Sequence, residues 1–342
     1  MQPSTTSQLS TPALLVNLDA LNRNLRTMSL RHPGAKLRPH TKAHKCTQIA
    51  NLQQNYGHKT FTCATSREII GMAATDVGED LLLANEVVDH DRLSALAKVS
   101  ENSRVTIAVD SLETIDAVWR AGLREVLIDV NVGLMRCGVA PELAGQLADN
   151  ARKAGITVRG VMGYEGHLMM VGDDEKRKMR VAESMKLLTR AAKDVGGEII
   201  SAGGTGTWDM HDQTGINELQ AGSYALMDTH YAQLKIPFVQ ACFVLGTVIS
   251  RSKDWLVIDV GLKSLSTDHG NPSVDGYDVV FCSDEHTTLV INNDSTKALA
   301  NIGEKLLVRP SHIDPTMAMH SVAWLTRADE ILDRWKIDLR GW

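Results

Sequence analysis

Short apolar runs alternate with longer amphipathic stretches through the first two-thirds of the 342-residue chain. The runs at 37–42, 61–65, 80–84, 105–109, 125–130, 158–163, 199–203 and 218–225 are strand-like, being short, apolar and closed by turn residues. Stretches at 47–56, 67–73, 92–100, 112–121, 141–154 and 176–195 are helix-like. Gly57 falls where a helix C′ glycine belongs, and Pro141 where a first helical turn tolerates proline. Eight β-runs with helices between them predict a parallel sheet, and the number points to a closed (β/α)8 TIM-like barrel over 11–235. An open doubly wound sheet is the alternative, weakened because no G-x-G-x-x-G follows the first strand.

The pattern changes after about Tyr231. Strand-like runs at 243–250, 255–260, 278–281, 288–291 and 305–308 follow one another without helices. Asp275-Gly276 and Asn292-Asn293-Asp294 supply turn signals, and a helix is expected only at 323–335. A mostly antiparallel β domain is therefore expected over 236–342, while a short strand at 13–16 could pair with either domain.

Composition narrows the class. Hydrophobic residues make up 43% of the chain, enough for ordinary folded cores, and a net charge of −5 speaks against a general nucleic-acid surface. Five scattered cysteines without a C-x-x-C pair suit a reducing compartment. Residues 1–10 are polar with no apolar h-region, and no run approaches 18 apolar residues. A soluble, cytoplasmic protein with no membrane and no nucleic-acid partner is the expectation.

The exception to the acidic balance is R-P-H-T-K-A-H-K at 38–45. In a barrel, chemistry sits at the C-terminal strand ends, which places Lys42 at the end of the first strand. The seventh strand ends in S-A-G-G-T-G-T at 201–207, and the eighth holds Ala221-Gly222-Ser223-Tyr224. Two small-residue turns on adjacent strands make a phosphate cup, with Thr205 and Thr207 as hydroxyl donors. Tight turns alone would explain the same residues outside a barrel. A lysine facing such a cup can lose its proton and form a Schiff base, so the three features together suggest pyridoxal phosphate. Arg38, His40 and His44 would then be the electrostatic surroundings of Lys42, and Lys45 a surface residue. Further along, His312-Ile313-Asp314 lies between Pro310 and Pro315. In an extended segment the imidazole and carboxylate would converge as two ligands for a catalytic ion, or as a hydrogen-bonded pair in a turn.

Six motifs in fixed order carry a resemblance that runs from Thr11-Pro12 to Arg340-Gly341: R-P-H-T-K-A-H-K, D-V-N-V-G-L-M-R-C-G at 129–138, Y-E-G-H at 164–167, G-G-T-G-T, A-G-S-Y and H-I-D-P-T at 312–316. The chain resembles the fold-type III pyridoxal phosphate enzymes with an alanine racemase N-terminal barrel, and within them the D-threonine aldolase and D-serine dehydratase family. The resemblance implies that Lys42 holds the cofactor, with Arg136 beside its phenolic oxygen and Tyr164 against the ring or substrate. It implies phosphate contacts from Gly204, Thr205, Gly222, Ser223 and Tyr224, metal ligation by His312 and Asp314, and His167 as a second-shell base. Aspartate rather than cysteine at 314 favours manganese or magnesium over zinc, and the aldolase branch over the dehydratase one. Met317-Ala318-Met319 departs from the family's Val-Asn-Leu at these positions. The implied reaction is retro-aldol cleavage of a D-β-hydroxy amino acid, D-threonine giving glycine and acetaldehyde, in a homodimer. Dehydration of D-serine or D-3-hydroxyaspartate at the same site, and a non-catalytic cofactor carrier, are the rivals.

Overall fold

The computed structural model describes residues 3–292 and 298–342, so the expected turn at Asn293-Asp294 lies outside the described residues. Contacts divide the chain into two compact units. One comprises 28–42, 49–222 and 341–342; the other comprises 1–27, 43–48 and 223–340. The division falls at 222/223, and the N-terminal segment belongs with the C-terminal unit rather than with the barrel.

The chain opens with strand β1 (Ala13–Asn17) and helix α1 (Leu18–Arg31). The first-named unit then builds a parallel sheet of β2 (Thr60–Cys63), β3 (Asp80–Leu83), β4 (Arg104–Val109), β5 (Glu125–Asp129), β6 (Thr157–Gly163), β7 (Ile199–Ala202) and β8 (Glu218–Leu219), paired in sequence order. Between them run α2 (Thr47–Asn55), α3 (Ser66–Ala73), α4 (His90–Val99), α5 (Leu112–Arg120), α6 (Ala144–Lys153) and α7 (Asp174–Val195). The sequence sets their starts: Thr65, Asp89, Ser111 and Asp173 each accept a first-turn N–H on the side chain, worth about 1 kcal/mol apiece. Gly57 takes a φ of 101°, as the helix-stop reading expects.

The first expected strand is different. Residues 37–42 form no regular strand. Leu37 bridges Leu219 and His40 bridges Thr62, both parallel, and the chain then turns through a 3-10 segment at Thr41–Ala43. Pro39 has no N–H to donate, which limits this stretch to isolated bridges. The segment still spans the gap between β8 and β2, so seven strands and one irregular stave close the ring. Inside, side chains two apart share a face. Asp80 and Glu125 open their strands and Thr106 is the third residue of β4, while Leu82, Ala108, Leu127, Met162 and Ile199 form an apolar cluster.

The second unit carries β9 (Cys242–Arg251), β10 (Trp255–Ile258), β11 (Ser273–Val274), β12 (Tyr277–Cys282), β13 (Thr287–Ile291) and β14 (Lys305–Arg309). Their pairing order closes on itself, because β9 joins both β14 and β10, giving a six-stranded antiparallel barrel. β1 extends it beside β9. Helix α8 (Ile313–Met319) precedes β15 (Val322–Arg327) and β16 (Glu330–Lys336). The helix expected at 323–335 is thus a hairpin that turns at Ala328, whose φ is 50°. Pairing of β15 with β1, some 300 residues earlier, overrides the local helical spacing.

Candidate active site

The C-terminal end of the parallel barrel gathers Lys42, Arg136 and Tyr164. Lys42 sits in the turn that follows the irregular stave. That turn is anchored by buried Thr41, whose hydroxyl reaches the Thr62 carbonyl at 3.1 Å and the Glu68 carboxylate at 3.0 Å. Glu68 in turn accepts from the Ala64 N–H at 2.7 Å, so the turn's start is fixed to β2 and α3. The Lys42 ammonium lies 5.8 Å from the centre of the Tyr164 ring, and the Arg136 guanidinium 5.4 Å from the same ring.

Arg136 is carried by the loop after β5, which returns on itself: Asn131 donates to Val139, and Val139 to Asp129. Gly138, at φ 105°, is needed there. A Cβ would stand 2.6 Å from the Asn131 nitrogen. Asp129, Arg136, Cys137 and Tyr164 line one small cleft. Burial, reinforced by the adjacent Glu86 carboxylate, pushes the Asp129 carboxyl well above its ordinary value. Burial and a hydrogen bond with Glu86 likewise push the Cys137 thiol up to about 12.

Beside Tyr164, Glu165 is fully buried and ties β6 to the glycine turn after β7. It accepts from the Gly203 N–H at 3.1 Å, from the Thr207 hydroxyl at 2.8 Å, and lies 3.2 Å from His211. Burial alone would raise its pKa; His211 and Thr207 outweigh that and hold it below the usual carboxylate value. The Thr207 hydroxyl is therefore spent inside the protein, not on an anion as its place in the motif suggested. At Gly204 a Cβ would stand 2.8 Å from Met169 Sδ and 3.4 Å from the Tyr164 ring, so glycine fits there without a shift of either, and Thr205 and Gly222 are buried in the chain's two small-residue turns. His167 is exposed, with its ring against Gly133, and desolvation and Arg180 lower its pKa.

One member of the basic cluster, Arg38, does not surround Lys42 as expected. Arg38 points to the opposite end of the barrel and ion-pairs with Glu218 at 2.9 Å and Asp80 at 3.3 Å. His40 accepts the Lys42 backbone N–H at 3.4 Å through Nδ1, and His44 accepts that of Cys46 at 3.2 Å.

In the second unit, Ser223 donates to Asp314 at 3.3 Å, and the Tyr224 ring is fully buried against Phe238, 5.6 Å between centres. His312 is extended, but it is the N-cap of α8, and Asp314 is already in the helix's first turn. The segment is therefore not extended through Asp314, and the two-apart spacing of a strand does not describe this pair. His312 instead meets Asp268, with Nδ1 2.7 Å from Oδ2, and stacks on His269 at 3.9 Å and 16°. Ligand atoms of Asp268, His269 and His312 all lie within 4.8 Å of one another. Asp228, beneath them, accepts from Ile313 N–H at 3.1 Å, and burial raises it to about 6. Met317, where the chain departs from the family, is fully buried against Cys242. Glu165, His211, Asp268 and His269 belong to none of the sequence motifs' assigned roles. Y-E-G-H pointed at Glu165 only by adjacency, and nothing local marks the other three.

The donor types fit the groups that the motifs imply. An amine, a guanidinium and an aromatic ring meet beside a turn with no room for a Cβ, and imidazole and carboxylate oxygens suit a hard or borderline divalent ion. Among the described residues no helix is long and apolar enough to cross a membrane.

Comparison with known proteins agrees. Residues 16–230 match the family model described as alanine racemase, N-terminal domain, and residues 241–326 the putative serine dehydratase domain. A D-threonine aldolase of Arthrobacter sp is 32% identical, covering 98% of this chain and 94% of that protein. A 3-hydroxy-D-aspartate aldolase of Paracoccus denitrificans is 30% identical over 98% and 93%. The crystal structure of D-threonine aldolase from Filomicrobium marinum superposes with a TM-score of 0.94 at 34% identity, covering 100% of this chain and 99% of that one. By this full-length similarity and by its paired barrels, the chain belongs to the fold-type III pyridoxal phosphate family with an alanine racemase N-terminal domain and a serine dehydratase-type second domain.

Proposed function

We propose that the protein is a pyridoxal phosphate- and divalent-metal-dependent lyase that cleaves D-β-hydroxy amino acids, with D-threonine giving glycine and acetaldehyde. The observation that carries this is the convergence of Lys42 and Arg136 on Tyr164 at the barrel's C-terminal end. Lys42 is the amine that would hold the cofactor's aldehyde, and Arg136 would keep positive charge beside its ring. Gly204, Thr205, Gly222, Ser223 and Tyr224 would contact the phosphate, Tyr224 through its backbone since its ring is buried. The bound cofactor supplies an electron sink for the pair left at Cα when the Cα–Cβ bond breaks.

His312 and Asp314 would hold the metal, whose charge lowers the pKa of a β-hydroxyl. Asp314 favours manganese or magnesium. His167, its pKa lowered, is neutral at pH 7 and so able to accept that hydroxyl's proton. The protein is expected in the cytoplasm as a homodimer, and sedimentation velocity checks the oligomeric state.

The test is product analysis with D-threonine, D-phenylserine and D-3-hydroxyaspartate, with and without added manganese. Aldehyde plus glycine is expected. Ammonia with an oxo acid and no aldehyde would mean a dehydratase, and no turnover of any substrate a cofactor carrier.

A further inference from the structure

The loop between β10 and β11 brings two side chains to His312 from 44 residues away in sequence. It is pinned there by backbone and side chain alike. Ser266 bridges His312 in antiparallel fashion, the Ser266 N–H donates to Thr316 Oγ1 at 3.1 Å, and Ser311 donates to the Ser266 carbonyl at 3.0 Å. Thr316 completes the circuit by donating to the His312 carbonyl at 2.7 Å. The placement of Asp268 beside His312 thus follows from a knit contact between this loop and the start of α8.

Asp268, His269 and His312 are close enough to share one ion, and each of the carboxylate's oxygens already has a protein partner. Oδ1 accepts the Ser266 hydroxyl and Oδ2 faces His312 Nδ1 at 2.7 Å. An ionised carboxylate only accepts, so the proton of that bond belongs to His312 Nδ1, and the free lone pair of the ring is on Nε2. His269 covers one face of the same ring at 3.9 Å, and His230 continues the stack at 4.3 Å. In-plane rotation of His312 is opposed by Asp268, and out-of-plane movement on that face by His269.

We propose that Asp268 is a positioning residue for the divalent-metal site: through Nδ1 it fixes the tautomer and the orientation of His312 so that Nε2 is the atom offered to the ion. Partners of this kind set ligand basicity, and their loss costs about 10- to 100-fold in metal affinity. The inference rests on the metal reading of His312 given above.

The experiment is titration of the pyridoxal phosphate-loaded enzyme with Mn2+, following free Mn2+ by electron paramagnetic resonance. Asp268→Ala should weaken binding by about 10- to 100-fold, and Asp268→Asn, which keeps an oxygen acceptor, should weaken it less. Cofactor absorbance should stay as in the wild type, reporting an intact fold, and kcat at saturating Mn2+ should largely recover. His312→Ala is the control that should lose the site. A wild-type enzyme that holds no Mn2+ overturns the metal reading and the inference with it. Wild-type binding that His312→Ala loses, together with unchanged affinity in Asp268→Ala, overturns the inference alone. Equal losses in Asp268→Ala and Asp268→Asn would make Asp268 a ligand in its own right and overturn the positioning role.

Discussion

At the N-terminal end of the parallel barrel, Arg38 and Arg159 are buried, 1% and 5% exposed, and are held by carboxylates. Asp80 is shared between them, Glu218 pairs with Arg38 at 2.9 Å, and Glu198 and Glu125 lie at 3.3 and 3.6 Å from Arg159. At the C-terminal end of the same barrel, among the described residues, no salt bridge holds Lys42 or Arg136, and Asp129 lies beside Glu86, with the Arg136 charge offsetting only part of what burial and Glu86 do to it. One end has its charges neutralised within the fold. The other has cations held near an aromatic ring and left available to a bound molecule. The difference separates charges spent on packing from charges left open for the proposed chemistry, although both ends are rich in polar residues.

The sharpest way to break this contrast is to remove the cation at the open end. Lys42→Ala should abolish the visible absorbance of covalently held cofactor and all turnover, while Lys45→Ala should keep both; the reverse pattern in absorbance spectra would move the reactive amine. At the closed end, Asp80→Asn should cost about 3–5 kcal/mol in denaturant unfolding, because Arg38 and Arg159 lose a buried partner. Activity per folded molecule should hardly change. The pairs with Arg159 and Arg38 outweigh burial and keep the Asp80 carboxyl below its unfolded value of 3.8. Its contribution is therefore complete above that value and is lost as the pH falls through the lower folded pKa. The gap between wild type and Asp80→Asn should close on acidification. A gap independent of pH would mean packing, not charge, dominates. The smallest effect is on Cys137. With its thiol pushed up to about 12, it should alkylate far more slowly with iodoacetamide at pH 8 than an ordinary cysteine, read by peptide mass analysis.

Much of the parallel barrel was legible because its strands are short, apolar and closed by turn residues. The expected run at 80–84 and the observed β3 at Asp80–Leu83 differ by one residue. The stave at 37–42 was legible as a position but not as a form, since Pro39 withdraws a donor that regular pairing needs. Residues 323–335 failed for the opposite reason. Local spacing there suits a helix, and only pairing with β1 makes it a hairpin. The ordered motifs located Lys42, Arg136 and Tyr164, and the geometry then brought them to one ring. The basic cluster read by itself misplaced Arg38, because charge in a string does not reveal which end of a barrel a side chain faces.

By itself the sequence determined the alternation of strands and helices, the change to antiparallel strands after the first barrel, and the residue types available for an amine, a phosphate cup and a metal. These are local properties, set by periodicity, turn chemistry and composition. The tertiary structure alone decided that Asp80 takes up Arg38, that Glu165 and His211 brace the glycine turn, and that Asp268 and His269 stand against His312. Each of these depends on chain segments tens of residues apart, brought together by sheet register and loop packing, for which no short stretch of sequence carries a signal.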